Sequence, residues 1–254
     1  MQRLIWMLPI ALLVVLVCTQ VSSAANILVI KVYSYPQSTN AINHLNSLGH
    51  TVTVGGTLAN YSAFDQVWDL RFAKKLTEVD VDAMGNFLRG GGSMYMAGEG
   101  SAYDARNNSL RSFVSSVGGG TVSLIGDARG SQSITAQGQA VNSPNVFGSV
   151  SFHYARTSAT AGSGFLVTEQ GVGSGRGGSL VGWDLGDISG SPDARMLVGF
   201  DIEIFQNGVQ WTENMATYLG DESPGSSVPE PSTFILALLA TIGLSFYRRR
   251  RRRA

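Results

Sequence analysis

The chain has 254 residues, with 18 Lys and Arg against 18 Asp and Glu. Seven of the basic residues, Arg3 and the run from Arg248 to Arg253, lie at the extreme ends with one acid, Glu230, so residues 25–227 hold 11 basic and 17 acidic groups, a formal charge of −6. An acidic middle excludes a general binder of nucleic acid or anionic lipid, which needs broad basic patches, and about 200 residues suffice for one sizeable core.

Residues 1–25 read as a secretory signal. Arg3 is the positive start, 14 apolar residues follow at 4–17, and Ser22, Ser23, Ala24 and Ala25 supply small residues for cleavage. A membrane-spanning helix is the alternative, but the stretch is short for one, and Thr19 and Gln20 follow it. Cys18, the single cysteine, falls inside this segment, preceded by Val17 where a lipoprotein acceptor would have a small residue. Loss of the signal leaves no cysteine, and with it no disulfide, thiolate zinc site or cysteine nucleophile.

Residues 26–220 predict one α/β domain. The apolar, β-branched run at 27–32 is a buried first strand. Ser38 or Thr39 caps a helix to Leu48 that places Ile42, Leu45 and Leu48 on one face, with Gly49 as its stop. Strands follow at 51–54 and 66–70. Thr77 with Asp80 reads as a capping box for a helix carrying Val81, Met84, Phe87 and Leu88, closed by Gly90, Gly91 and Gly92. A fourth strand is expected at 93–97, a helix from Asn108 or Ser109 to Val117, and a fifth strand at 121–125. From 131 to 190 the helical pattern stops, and short apolar pieces at 149–154, 165–168 and 180–183 read as late strands of a decorated edge. A strong strand at 196–204 and a helix at 212–219 bearing Met215, Tyr218 and Leu219 complete a layered sandwich with a mainly parallel, flavodoxin-like sheet.

Beyond a Ser-Gly-rich linker lie Val228, Pro229, Glu230 and Pro231, an apolar stretch at 234–247 and six arginines. As a helix the stretch is about 21 Å long, enough to span only with help from its flanks, and the arginines would stay cytoplasmic. In order and spacing these three parts resemble the PEP-CTERM sorting signal. The resemblance implies export, transient anchoring in the inner membrane, recognition by an exosortase that cuts near the Pro-Glu-Pro motif, and delivery to the cell surface or extracellular matrix. It divides the chain into a signal at 1–25, the domain at 26–220, a linker with the sorting motif at 221–231, a transmembrane segment at 232–247 and a basic tail at 248–254. An ordinary tail anchor is the plainer alternative.

The domain itself resembles the class I glutamine amidotransferase-like superfamily. The resemblance is carried by the opening strand, by Met94-Tyr-Met-Ala-Gly-Glu-Gly100, and by the closing strand with the helix around Glu213 and Asn214. An active member of that class places a cysteine nucleophile in the turn after such a strand, with a downstream His and Glu. Here Glu99 stands between two glycines at that turn, which removes the nucleophile and argues against amidotransfer.

The most polar constellation follows the fourth strand, at 98–108. In open α/β sheets the carboxyl ends of the strands bind ligands, so Glu99, Asp104, Arg106 and Asn107 are candidate ligand contacts, with Asp201 from the closing strand. The plainer reading pairs Arg106 with Glu99 or Asp104 and leaves Asn107 or Asn108 as a helix cap. Asp69 and Arg71 read as a surface ion pair, and Asp201 and Glu203 as alternating residues on one strand face.

Ser101 and Ser109 lack a Gly-x-Ser-x-Gly elbow. His44, His50 and His153 lack metal-ligand spacing, so no metal is expected. Gly173-Ser-Gly-Arg-Gly-Gly178 precedes a strand and so fails as a dinucleotide loop, and no cofactor is expected. The expected function is an exported surface or matrix protein with a non-catalytic binding or structural domain. Its partners would be an exosortase, the membrane through the tail, and extracellular polysaccharide, with no nucleic acid. The alternative is a secreted hydrolase or carbohydrate-active enzyme using carboxylates at the strand-four rim; a third possibility is a passive passenger of the sorting tail.

Overall fold

Ile27, Leu28, Val29 and Ile30 are wholly buried, as a strand covered on both faces must be. In the computed structural model, which describes residues 24–31, 34–58, 60–171 and 175–220, they form β1 (Asn26–Ile30). The expected signal up to residue 23 and the tail from 221 onward, including the transmembrane segment, lie outside the described residues. Among the described residues no helix is long and apolar enough to cross a membrane.

After β1 come α1 (Pro36–Ser47), β2 (Thr51–Gly55), β3 (Gln66–Asp69), α2 (Glu78–Arg89), β4 (Ser93–Ala97) and α3 (Asp104–Ser116). A long pair, β5 (Val122–Ile134) and β6 (Ser149–Ala161), is followed by the short β7 (Phe165–Leu166) and β8 (Thr168–Glu169). β9 (Leu180–Trp183), β10 (Met196–Gly199) and α4 (Val209–Gly220) complete the domain. The main sheet runs β2-β1-β3-β4-β10-β9-β7. Its first five strands are parallel, and β9 and β7 pair antiparallel at the edge. This is the mixed α/β class expected, in the doubly wound order of a flavodoxin-like sheet.

Alternation along β1 builds two cores. Ile27 and Val29 join Trp68, Tyr95 and Leu197 beneath Leu45 of α1 and Trp211 and Met215 of α4. Leu28 and Ile30 join Val67, Met94 and Met196 beneath Met84 and Leu88 of α2 and Leu110 and Phe113 of α3. The capping box of α2 is formed as expected, Thr77 and Asp80 bonding reciprocally.

Four expectations need correction. α1 starts at Pro36 with Tyr35 as its cap, not at Ser38 or Thr39, because proline's fixed φ suits the first helical position and its missing N–H costs nothing there. α3 starts at Asp104 rather than near Asn108, since Arg106 and Asn107 are wholly buried and find their partners from inside the helix. The strand expected at 121–125 runs on to Ile134 and pairs antiparallel with β6 in a separate sheet, order β6-β5-β8. Its polar, partly exposed pattern suits a sheet wet on one face, and β10 takes the fifth parallel place instead. β10 itself ends at Gly199; Asp201 then caps a 3₁₀ turn, Ile202–Asn207, so Asp201 and Glu203 do not alternate on a strand.

Candidate functional site

The carboxyl ends of β1, β3, β4 and β10 form one rim. At the end of β4 the chain turns through Gly98, Glu99 and Gly100. A β-carbon on Gly98 would come within 2.6 Å of the Asn107 side-chain Oδ1, and one on Gly100 within 2.3 Å of the Tyr154 ring, so both positions need glycine for close approach. Asn107 clamps the turn: its Oδ1 accepts from the Glu99 N–H at 3.1 Å, and its Nδ2 donates to the Glu99 carbonyl at 2.7 Å.

Glu99 is 8 % exposed. One carboxylate oxygen accepts from the Gly100 N–H at 3.0 Å and the other from the Ile202 N–H at 3.3 Å, joining the β4 turn to the β10 turn. Asp201 is fully buried and accepts from the N–H groups of His153 at 2.6 Å, Tyr154 at 3.3 Å and Glu203 at 2.7 Å. Burial, with Asp201 beside it, pushes the Glu99 carboxyl up to about 8. Burial also raises Asp201, against the pull of its three N–H donors. The buried Tyr95 hydroxyl has no hydrogen-bond partner among the described residues, and its pKa is raised by burial and by these two carboxylates. Outward of them Glu203 accepts from Gln37 Nε2 at 3.1 Å and meets His153 Nδ1 at 3.3 Å.

The other half of the rim, over β1 and β3, is built on arginines. Arg106 has no exposure; its Nε donates to the Ala97 carbonyl at 2.9 Å, one terminal nitrogen to the Lys74 carbonyl at 3.1 Å and the other to Asp69 at 3.0 Å. Arg71 reaches Asp69 and Asp80, each at 2.8 Å, and Thr57 donates to Asp80. Burial pushes the Asp69 carboxyl up, but Arg106 and Arg71 outweigh it and hold the group below its usual range. The same contest leaves Asp80 at about 2: burial raises it, and hydrogen bonds from Thr57, Thr77 and Arg71 win. The surface ion pair expected of Asp69 and Arg71 is therefore a buried network, and Arg106 neutralises Asp69, not Glu99 or Asp104.

Of the five candidate residues, Glu99, Asn107 and Asp201 come together, and Arg106 belongs to the neighbouring arginine network. Asp104 stands half-exposed at the start of α3 and faces Arg156 at 3.5 Å. Gln37 of α1, Tyr95 of β4, His153 of β6 and an aromatic trio, Tyr35, Phe72 and Tyr103, carry no mark in the sequence that points to this rim; they come from separate elements whose adjacency only the sheet order reveals. No non-glycine residue among those described has a positive φ, so Glu99 does not occupy a strained nucleophile elbow. Among the described residues no group of three or more His, Cys, Asp or Glu is placed to hold a metal ion.

Residues 227–252 match the PEP-CTERM protein-sorting motif. The chain carries an exosortase sorting signal. That makes it an exported protein whose processing partner is an exosortase. No curated protein matches the chain in sequence. In structure it is similar to the mmIFT52 N-terminal domain, at 9 % identity and a TM-score of 0.53 over 75 % of this chain and 94 % of that one. It is similar to a ThuA-like protein from Parabacteroides merdae ATCC 43184, at 12 % identity and a TM-score of 0.50 over 82 % and 94 %. A cold-adapted β-galactosidase from Rahnella sp. R3 matches at 11 % identity and a TM-score of 0.53 over 78 % of this chain, which spans 31 % of that enzyme. At these identities the likeness is one of fold, a mixed α/β domain with a mainly parallel sheet.

Proposed function

We propose that the chain is an exosortase-processed surface or matrix protein whose domain, residues 26–220, binds and does not catalyse, with extracellular polysaccharide as its partner. In this reading the signal at 1–25 is removed on export. The linker at 221–231 carries the cut near Pro229, Glu230 and Pro231, and the membrane segment at 232–247 and tail at 248–254 are discarded.

The observation that carries the reading is the use made of Glu99. It sits at the turn where the amidotransferase-like class has its nucleophile, yet both its oxygens accept bonds from the chain's own N–H groups. Asn107 and Arg106 are likewise spent on backbone carbonyls and Asp69, so these residues hold the rim in shape, and ligand contact falls to the more exposed groups around them.

A second reading, a secreted hydrolase or carbohydrate-active enzyme, draws on the pairing of a carboxyl pushed up to about 8 with a neighbouring carboxylate, Asp201, an arrangement that suits an acid and a base. Two measurements separate these. The mature C-terminus, read by mass spectrometry on surface-delivered protein, is expected near the Pro-Glu-Pro motif; an intact arginine tail would defeat the processing half. Polysaccharide binding with no release of reducing ends, unchanged in Glu99→Gln, is expected of a binder, whereas hydrolysis lost in Glu99→Gln and Asp201→Asn would establish the enzyme.

A further inference from the structure

The half of the rim over β1 and β3 has features that the amidotransferase-like turn does not explain. The whole chain contains three lysines, Lys31, Lys74 and Lys75, and all three fall here. Lys31 follows β1 directly, and the register of Ile30 with Asp69, extended by the bond from Leu70 N–H to the Ile30 carbonyl, sets it beside the loop after β3. Lys74 and Lys75 stand exposed on that loop, which Arg106 fixes by its bond to the Lys74 carbonyl.

The ion pairs among the described residues use arginine or histidine and never lysine. Arg71 and Arg106 are matched by Asp69 and Asp80, and Glu78 and Asp82 of α2 are the exposed carboxylates that follow this loop, two against three lysines. In a domain of net negative charge, this half of the rim is therefore locally positive. α1 also begins here, with no acidic residue in its own first turn and no side-chain cap, which adds the positive end of its dipole, met on one side by Glu203 at Gln37.

Aromatic rings lie in the same loops. Tyr35, 42 % exposed, packs edge-to-face on Phe72 with ring centres 5.0 Å apart, and Phe72 packs on Tyr103 at 5.5 Å. Phe72, 6 % exposed, thus bridges the loops after β1 and β3, where a doubly wound sheet has its switch point and takes its ligands. An apolar ring face with a polar tip suits the alternating apolar and hydroxyl surfaces of a sugar. Flexible ammonium groups suit anions spaced along a polymer, where no fixed bidentate geometry is required.

We propose that this half of the rim binds an anionic saccharide, a polymer bearing carboxylates, with sugar rings against Tyr35 and Tyr103 and carboxylates at Lys31, Lys74 and Lys75. The proposal rests on the polysaccharide reading above and adds the ligand's charge and the residues that meet it. Three lysines on an acidic domain make too small a patch for a nucleic-acid duplex or an anionic membrane, both of which are held by many phosphate contacts or basic clusters.

The test measures binding of the purified full-length chain to immobilised polygalacturonate. Dextran serves as a neutral polymer, and duplex DNA and vesicles of phosphatidylserine with phosphatidylcholine serve as other anions. Polygalacturonate is expected to bind, to weaken roughly tenfold in the double variant Lys74→Ala, Lys75→Ala, and to be released between about 50 and 500 mM salt. Tyr35→Ala is expected to weaken it about fivefold, while Lys74→Arg with Lys75→Arg keeps it, since the charge is retained.

Equal binding of dextran, indifferent to the lysine variants, would overturn the proposal and leave the polysaccharide reading standing. Binding of neither polymer would overturn both. Tighter binding of DNA or vesicles than of polygalacturonate would overturn the proposal in favour of that other anion. All the substituted side chains are exposed, so unchanged unfolding curves for the variants separate lost contacts from lost folding.

Discussion

The two halves of the rim bury carboxylates in opposite ways. Over β4 and β10, Glu99 and Asp201 are satisfied by backbone N–H groups alone, and their pKa values rise. Over β1 and β3, Asp69 and Asp80 are just as buried, yet their pKa values fall: two guanidinium groups face Asp69, and Asp80 gathers hydrogen bonds from Thr57, Thr77 and then Arg71. A backbone N–H is a dipole that satisfies a lone pair without cancelling a charge, whereas an arginine does both. Burial wins in the first half and loses in the second.

The strongest way to break this contrast is Arg106→Ala. It removes one of the two guanidinium partners of Asp69, leaving Arg71, empties a fully buried site and frees two backbone carbonyls, and breaking a buried pair costs about 3–5 kcal/mol. Urea unfolding at neutral pH should show that loss, and binding at the lysine loop should fall with it because Lys74 is no longer anchored. Stability unchanged within experimental error would mean that the arginine half is not held by its ion pairs.

The pH dependence sharpens the same contrast, with an effect on the order of a few kcal/mol. Glu99 has a folded pKa of about 8 against an ordinary 4.5, so the folded state keeps a proton that the unfolded state gives up. Its contribution is fully present below pH 4.5 and is lost as pH rises towards 8. Asp201, also raised, acts in the same sense. Asp80 works in reverse: its contribution is present above 3.8 and is lost as pH falls towards 2. Melting temperature should therefore be highest in mildly acidic buffer, and Glu99→Gln should flatten the alkaline side. A melting temperature that rises from pH 5 to pH 8 in the unaltered protein would contradict the assignment.

Smaller effects mark the edges of the comparison. Thr77→Ala removes the capping box that also helps to position Asp80 and should cost about 1 kcal/mol in thermal or chemical unfolding. Tyr35→Ala, at a site 42 % exposed, should shift stability by less than about 0.5 kcal/mol while weakening saccharide binding; a large loss of stability would make Tyr35 a packing residue first.

Much of the fold was legible in the chain. The unbroken apolar runs of β1 and β4, the capping box at Thr77 and the glycines after α2 specify their elements locally, because each carries its own stop signals and hydrophobic period. The start of α3 was hidden by its polarity: Asp104, Arg106, Asn107 and Asn108 look like a loop, and only the buried acceptors that Arg106 and Asn107 find make the helix begin there. The fate of β5 depended on partner choice, since a strand wet on one face pairs locally with β6 and leaves the parallel sheet to β10. Glu99 and Asn107 were readable from the glycine-flanked turn. The confinement of the lysines to positions 31, 74 and 75 was open to a simple count, but their meeting on one edge required the order β1-β3.

The parallel pairing of β4 with β10 joins Met94 to Met196, 102 positions apart. The β5–β6 hairpin can form within the intervening segment first and shorten the loop that must close. Even so, the main sheet cannot complete itself until residues near 200 are available, close to the end of the domain. A chain that must cross a membrane before it works gains from this order of events: its decisive strand arrives late, and folding waits until most of the polypeptide has passed through.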